Sequence, residues 1–128
     1  MNPQVSAITL GVRDLGRAKR FYSDGLGCPI GQDQGGFVSF NLGSGSSALA
    51  LYQRDALADD AGVAAEGSGF SGVTLSYVVD STARVDEVMA QAERAGGTIA
   101  KPAQSAQWGG YFGYFADPDG YLWKVASG

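Results

Sequence analysis

Two stretches of this sequence read alike although about half of the chain separates them. "ITLGVRD" (residues 8–14) and "VTLSYVVD" (residues 73–80) are both rich in β-branched residues, and each leads into a segment whose apolar residues have helical spacing. Such self-similarity indicates a duplicated structural unit, here of roughly 60 residues. A chain of 128 residues is therefore limited to two small modules that share one plan.

The first module reads as a strand, a helix and three further strands. Asp14 is placed to cap the helix "DLGRAKRFYSDGLG", and Gly25 and Gly27 suit the end of that helix. The strand candidates that follow are "CPIGQD", "GGFVSFNL" and "SSALALYQRD", which are separated by turns rich in Gly and Ser. The predicted order is β-α-β-β-β.

The second module repeats this order. Asp80 or Ser81 is placed to cap the helix "STARVDEVMAQAERAGG". The predicted buried face of this helix consists of Val85, Val88, Met89 and Ala92. The strand candidates are "TIAKP", "GYFGYFA" and "YLWKVA", whereas "AQSAQW" reads as an irregular segment or a further edge strand. The turn residues "DPDG" join the last two strands.

We expect an α+β fold of two βαβββ modules, which occupy residues 1–55 and 73–128. Residues 56–72 are small, acidic and rich in Gly, which predicts a short helix or loop followed by a linker. One four-stranded sheet with one helix buries only one face of the sheet well. Two modules can place their sheets together to form a cleft, and clefts are where small ligands bind.

The composition excludes several classes of partner. The net charge is -4 and there is no basic cluster, so we expect no nucleic-acid partner. No apolar run approaches the roughly 20 residues of a membrane span, and the first residues lack the pattern of a secretory signal. We therefore expect a cytoplasmic protein that has no membrane partner.

Histidine is absent from the sequence. This removes the commonest metal ligand and the commonest acid–base group near neutral pH. Catalysis would then have to use carboxylates, Lys, Tyr, Cys or backbone groups. Cys28 is the one cysteine, and without a partner for an internal disulfide it is interpreted as a small buried apolar residue.

Two motifs together resemble the vicinal oxygen chelate superfamily, which includes glyoxalase I, bleomycin-resistance proteins and extradiol dioxygenases. They are "VRDLGRAKRFYSDGLG" in the first module and "YFADPDGYLWKV" at the end of the second. The resemblance covers nearly the whole chain. It implies two βαβββ modules whose sheets form a cleft, commonly in a homodimer and sometimes with modules swapped between chains.

Metal-using members of that superfamily hold His, Gln or Glu ligands on the first and last strands of the two modules. The resemblance carries these positions onto Ala7, Ala50, Thr74 and Lys124, with an uncertainty of one or two residues at Ala50. The first three side chains are not primary metal ligands, and a protonated lysine has no lone pair to give. We therefore expect neither a metal nor another cofactor.

Strand alternation places Leu122 and Lys124 on one face of the last strand and its aromatic residues on the other. The aromatic face is expected to cover a helix, so that Lys124 points into the cleft. There it would pair with an anionic or polar ligand. The alternative is a lysine whose ammonium group reaches solvent or pairs with a nearby acid.

Aromatic residues are the second candidate feature of the site. Trp108 and Tyr111 are interpreted as rings that contact the ligand, and Tyr52 and Phe40 would line the same cavity from the first module. The rings expected to pack in the core instead are Phe112, Phe115 and Trp123.

The leading hypothesis is a metal-free protein that binds a small aromatic or amphipathic molecule, as a resistance or sequestration protein does. The alternative is a metal-dependent lyase, isomerase or dioxygenase of the glyoxalase-like group, which would need ligands at other positions. A third hypothesis is a metal-free enzyme that uses Lys124 or a tyrosine as an acid or base.

Overall fold

A computed structural model describes residues 4–61, 63–67, 69–71, 73–107 and 109–128. The chain divides into two units, Met1–Gly67 and Ser68–Gly128. Each unit is described by itself. None of the helices in the described residues has the length and the apolar character needed to cross a membrane.

The first unit is a four-stranded sheet with helices that follow its first and last strands. Its elements are β1 (Ala7–Val12), α1 (Leu15–Arg20), a π-helical segment (Phe21–Gly25), β2 (Ile30–Gln34), β3 (Phe37–Phe40), β4 (Ala48–Gln53) and α2 (Arg54–Ala61). The strand order is β1-β4-β3-β2. β1 and β4 pair in parallel, and the other pairs are antiparallel.

The predicted helix of the first module begins as expected. The carboxylate of Asp14 accepts a hydrogen bond from the backbone N–H of Arg17 at 3.0 Å, which confirms Asp14 as the cap. Phe21 and Tyr22 follow on the buried side, with ring centroids 5.0 Å apart. Tyr22 also contacts the ring of Phe40 on β3 and so joins this segment to the sheet.

The second unit has the same plan. Its elements are β5 (Thr74–Val78), α3 (Thr82–Arg94), β6 (Thr98–Ser105), β7 (Tyr111–Ala116) and β8 (Leu122–Ser127). The strand order is β5-β8-β7-β6, with β5 and β8 parallel and the other pairs antiparallel. Both units are thus βαβββ modules, and the predicted α+β fold of two such modules is confirmed.

Helix α3 is capped by Ser81, whose hydroxyl accepts from the N–H of Arg84 at 3.1 Å. Of the two capping residues that the sequence allows, the structure selects Ser81. The predicted buried face of α3 is confirmed, since its buried residues are Val85, Val88, Met89 and Ala92.

Strand β6 is longer than the segment "TIAKP" that the sequence indicates. It continues through Pro102 to Ser105, so the beginning of "AQSAQW" belongs to this strand. The pairing of β6 with β7 shifts register on both sides of Lys101. Proline is tolerated because β6 is an edge strand, where a missing N–H interrupts no central ladder.

Helix α2 extends into residues 56–72, where the sequence predicts a short helix or loop followed by a linker. It packs on β1, where a side chain at Gly11 would lie 3.3 Å from the Cα atom of Arg54. Gln53 caps α2, because its side-chain oxygen accepts from the N–H of Ala56 at 2.9 Å. The module boundaries at residues 55 and 73 stay a prediction.

Candidate functional site

The sheet of the second unit has a helix-covered face and an opposite face. Gly113 lies on the helix-covered face, because a Cβ atom there would meet the methyl group of Met89 at 2.8 Å. The opposite face, here called the distal face, is defined by the strand register. Its members are Thr74, Ser76, Val78, Thr98, Lys101, Gln104, Phe112, Tyr114, Ala116, Leu122, Lys124 and Ala126.

Lys124 lies on the distal face, as its parity with Leu122 predicts. It is half-buried, and its Nζ lies 5.1 Å from the ring centroid of Phe112. A second ammonium group approaches the same ring, since Nζ of Lys101 lies 4.9 Å from that centroid. Each contact has the geometry of a cation–π interaction. The ring of Phe112 therefore contacts two ammonium groups.

Phe112 differs from the sequence-based expectation that it packs in the core. It is half-buried on the distal face and contacts Tyr114 edge-on, with centroids 6.1 Å apart. Of the three rings expected in the core, Phe115 and Trp123 do lie on the helix-covered face. They stack with centroids 6.0 Å apart and ring planes 3° from parallel.

Tyr111 lies on the helix-covered face, two positions from Gly113, and thus opposite Lys124. Its hydroxyl donates to Oδ1 of Asp86 on α3 at 2.7 Å. That hydrogen bond raises the pKa of Tyr111 above its ordinary value of 10.0, with smaller contributions from desolvation and from the charge of Asp86. The hydroxyl therefore ties β7 to α3.

The two ring positions predicted in the first unit also lie on opposite faces of their sheet. Phe40 is 0% exposed and contacts Tyr22, with centroids 5.8 Å apart, so it lies on the side of α1. Tyr52 occupies the other face, where its register partner Phe37 contacts it edge-on with centroids 6.4 Å apart. Phe40 is thus a core residue, whereas Tyr52 is half-buried.

Trp108 lies outside the described residues, so its predicted ligand contact stays a prediction. The same is true of the ligand-binding roles of the other four residues. Lys124 and Tyr52 lie on the sheet face opposite the helix in their respective units. Tyr111 and Phe40 lie on the sheet face that the helix covers.

Sequence reasoning missed Lys101 as a neighbour of Lys124. The alternation of "YFGYFA" indicates that Phe112 and Tyr114 share a face. The sheet face that Lys101 occupies cannot be predicted from alternation. The pairing register shifts on both sides of Lys101, so the side chains of β6 do not alternate regularly between the two faces.

The described residues of the first unit also form an open cavity of about 470 Å³. It is lined by Arg13, Gln53, Arg54, Asp55, Ala65, Glu66 and Gly67. Arg54 donates to the carbonyl oxygens of Ala65 at 2.8 Å and of Gly67 at 3.4 Å. The arginine thereby holds the segment after α2 against the start of that helix. Two basic and two acidic residues leave this cavity without a net formal charge.

The strand positions at which metal-using relatives would hold ligands do not fit a metal ion here. In the first unit, Ala7 pairs with Ala48, and Ala50 pairs with Thr9. These side chains supply no carboxylate, imidazole or thiolate.

The corresponding positions of the second unit are no better suited. Thr74 pairs with Leu122, and Lys124 pairs with Ser76. A shift of two residues along the strand keeps the same face and replaces Ala50 by Ala48 or Tyr52, and Lys124 by Leu122 or Ala126. None of these side chains is a carboxylate, an imidazole or a thiolate. Within the described part of the chain, no three or more His, Cys, Asp and Glu residues cluster as metal ligands.

Cys28 lies just after the π-helical segment, where its N–H donates to the carbonyl oxygen of Tyr22 at 2.9 Å. Burial raises the pKa of its thiol. The thiol is therefore protonated near neutral pH, which fits a packing role better than a nucleophilic one.

The chain belongs to the Glyoxalase/Bleomycin resistance protein/Dioxygenase superfamily, whose family model matches residues 4–125. A similar solved structure is a glyoxalase-related enzyme from Fulvimarina pelagi. It is 33% identical, with a TM-score of 0.86, and the match covers 98% of this chain and 88% of that one. The comparison with curated proteins gave no match.

Two further structures show the same fold at lower identity. A glyoxalase/bleomycin resistance protein/dioxygenase family enzyme from Burkholderia phytofirmans PsJN is 21% identical, with a TM-score of 0.86 and coverage of 98% of both chains. A lactoylglutathione lyase from Agrobacterium tumefaciens is 23% identical, with a TM-score of 0.74 and coverage of 100% of this chain and 96% of that one. At this identity the likeness concerns the fold.

Proposed function

We propose that this member of the superfamily binds a small aromatic or amphipathic molecule without a metal ion, in the manner of a resistance or sequestration protein. The observation that carries the proposal is the set of side chains at the implied ligand positions. Ala7, Ala50 and Thr74 have no strong donor for a divalent cation, and the ammonium group of Lys124 repels one.

The distal face of the second unit supports the ligand part of the proposal. Phe112 and Tyr114 present half-buried aromatic surface there, and Lys124 supplies a polar group beside it. Small-molecule sites combine apolar and aromatic walls with a few polar groups that fix orientation. Binding by such a surface requires no reaction and no cofactor.

A metal-dependent lyase, isomerase or dioxygenase is the second candidate function. The observation that points to it is the 33% identity to the glyoxalase-related enzyme from Fulvimarina pelagi. This candidate requires a metal site made from residues other than the four implied positions.

Metal retention separates the two candidates. We expect that Ni, Zn, Mn or anaerobic Fe(II), added to the purified chain and then dialysed, is not retained at stoichiometric amount and does not raise the melting temperature. A metal-dependent member of the superfamily, treated in parallel, serves as the positive control. Retention of one metal per chain at micromolar affinity would show that the metal-free proposal is wrong.

Ligand binding is measured with the neutral fluorophore N-phenylnaphthylamine. We expect saturable binding that quenches tryptophan fluorescence, of which Trp108 and Trp123 are the sources. Comparison of Trp108→Phe with Trp123→Phe shows which tryptophan lies near the ligand. The absence of saturable binding would contradict the ligand proposal, whatever the outcome with metals.

The homodimer and the cytoplasmic location that we expect from the sequence are part of the same proposal. Sedimentation equilibrium measures the first, since a homodimer has twice the 13.2 kDa mass of one chain. A mass of one chain across the accessible concentrations would contradict it.

A further inference from the structure

The distal face of the second unit has a charge opposite in sign to that of the whole protein. Lys101 and Lys124 are its only ionisable residues with a formal charge at neutral pH among the described members, whereas the net charge of the chain is -4. The remaining members have hydroxyl, amide, aromatic or aliphatic side chains. This face is thus a local positive surface on an acidic protein.

The two positive charges of this face converge on one ring. Each ammonium nitrogen lies within 5.1 Å of the centroid of Phe112. They are therefore within about 10 Å of each other, which is about one Debye length at 0.1 M salt. Like charges at this distance repel. An anion placed near both ammonium groups reduces that repulsion.

This arrangement also argues against a cationic ligand. The face of Phe112, which would attract a cation, already has two ammonium groups near it. Phe112 and Tyr114 still provide aromatic surface for a flat apolar group. The face thus combines two positive charges with rings, which complements a molecule that is both aromatic and negatively charged.

We infer that the ligand is an aromatic carboxylate, whose carboxylate is bound jointly by Lys101 and Lys124 and whose ring packs against Phe112 and Tyr114. The inference rests on the proposed ligand-binding function and specifies its ligand class. Lys101 becomes a specificity-determining residue, because it supplies the second positive charge from a different strand than Lys124. Charge-assisted contacts of this kind are stronger than neutral ones.

The test uses three naphthalene compounds of similar shape and different charge. They are 2-naphthoate, the neutral 2-naphthamide and the cation 2-naphthylmethylammonium, and binding is measured by calorimetry at about pH 7.5, where the carboxylic acid is ionised. We expect the naphthoate to bind roughly tenfold more tightly than the amide, and the cation to bind least. Only the naphthoate affinity should fall as salt increases from about 50 to about 500 mM.

Lysine variants assign the effect to this face. Lys101→Met and Lys124→Met keep the length of the side chain and are each expected to weaken naphthoate binding about fivefold to tenfold, and to change the amide affinity by a smaller factor. Arg94→Met removes one positive charge from the same unit at the end of α3, and should leave both affinities as in the wild type. Melting temperatures of the three variants establish that each is folded.

The outcomes separate this inference from the proposed function. Equal affinities for the naphthoate and the amide would overturn the anionic ligand class while leaving the proposal of ligand binding in place. Loss of naphthoate affinity in Arg94→Met to the same extent as in the lysine variants would also overturn it, since the effect would then follow from net charge. If none of these compounds nor N-phenylnaphthylamine binds, the inference and the proposed function are both wrong.

Discussion

The hydroxyl of Tyr111 on β7 donates a hydrogen bond to Oδ1 of Asp86 on α3, with 2.7 Å between the two oxygen atoms. The bond links the helix to the sheet at the surface of the second unit. It requires a protonated tyrosine, because a phenolate has no proton to give and would face a carboxylate.

This contact predicts a change in stability at high pH. The folded-state pKa of Tyr111 is raised above its ordinary value of 10.0 by the hydrogen bond to Asp86. The contribution to stability is therefore complete below the unfolded-state pKa and is lost as the pH rises through the folded-state pKa. We expect the wild type to lose more stability than Tyr111→Phe between about pH 9 and pH 12, measured by urea denaturation at each pH.

Variants of Asp86 distinguish the hydrogen bond from the charge. In Asp86→Asn the amide oxygen can still accept the bond, so the pKa of Tyr111 should remain raised but by less. In Asp86→Ala it should return toward the ordinary value. Phenolate absorbance, compared with Tyr111→Phe in each background, gives the titration of this one tyrosine. An unchanged titration in Asp86→Ala would contradict the assigned cause.

The turn between β7 and β8 depends on one buried carboxylate. Asp117 is 3% exposed, and its Oδ1 accepts from the N–H groups of Asp119 and Tyr121, each at 2.9 Å. Gly120 closes the turn at φ 90°, a conformation that favours glycine.

We predict that Asp117→Ala destabilises the fold by about 1–3 kcal/mol, because two N–H groups lose their acceptor. Asp117→Asn keeps an oxygen at the same position and should cost less. The free energy of unfolding from urea denaturation checks both. If the two variants are equally destabilised, the hydrogen bonds accepted by Oδ1 are not what stabilises the turn.

Glycine at position 113 is required by close packing. A Cβ atom there would lie 2.8 Å from Cε of Met89 and 3.1 Å from two backbone atoms of Ala103. Met89 can adopt another rotamer, but the backbone of β6 can yield only by moving the strand.

We therefore predict that Gly113→Ala destabilises the protein by about 1–3 kcal/mol. Gly43→Ala is the matched control, because a Cβ atom at Gly43 would have no neighbour within 4 Å. Its free energy of unfolding should remain close to that of the wild type. Equal melting temperatures for the two variants would show that the contact of β6 with β7 relaxes without cost.

Features that depend on neighbouring residues along the chain were predictable. The cap Asp14, the buried face of α3 and the "DPDG" turn all follow from local spacing and side-chain chemistry. For α3 the sequence allows Asp80 or Ser81 as the cap, and the structure selects Ser81. The parity that separates Lys124 from Val125 on β8 is equally local.

Features that depend on which face a helix covers were not predictable. Phe40 and Tyr52 were expected to line one cavity, yet they lie on opposite faces of the first sheet, since Phe40 contacts Tyr22. Alternation predicts which residues of one strand lie on the same face. It does not predict which residues of two different strands lie on the same face of the sheet, because that depends on the pairing register.

The sequence by itself determined two βαβββ modules, the cap Asp14 and the absence of histidine, since each is a property of residue type and short-range spacing. Only the tertiary structure decided that Lys101 joins Lys124 at the ring of Phe112. The irregular register of β6 changes its alternation, so the face that Lys101 occupies is set by pairing with β7 and not by its position in the chain.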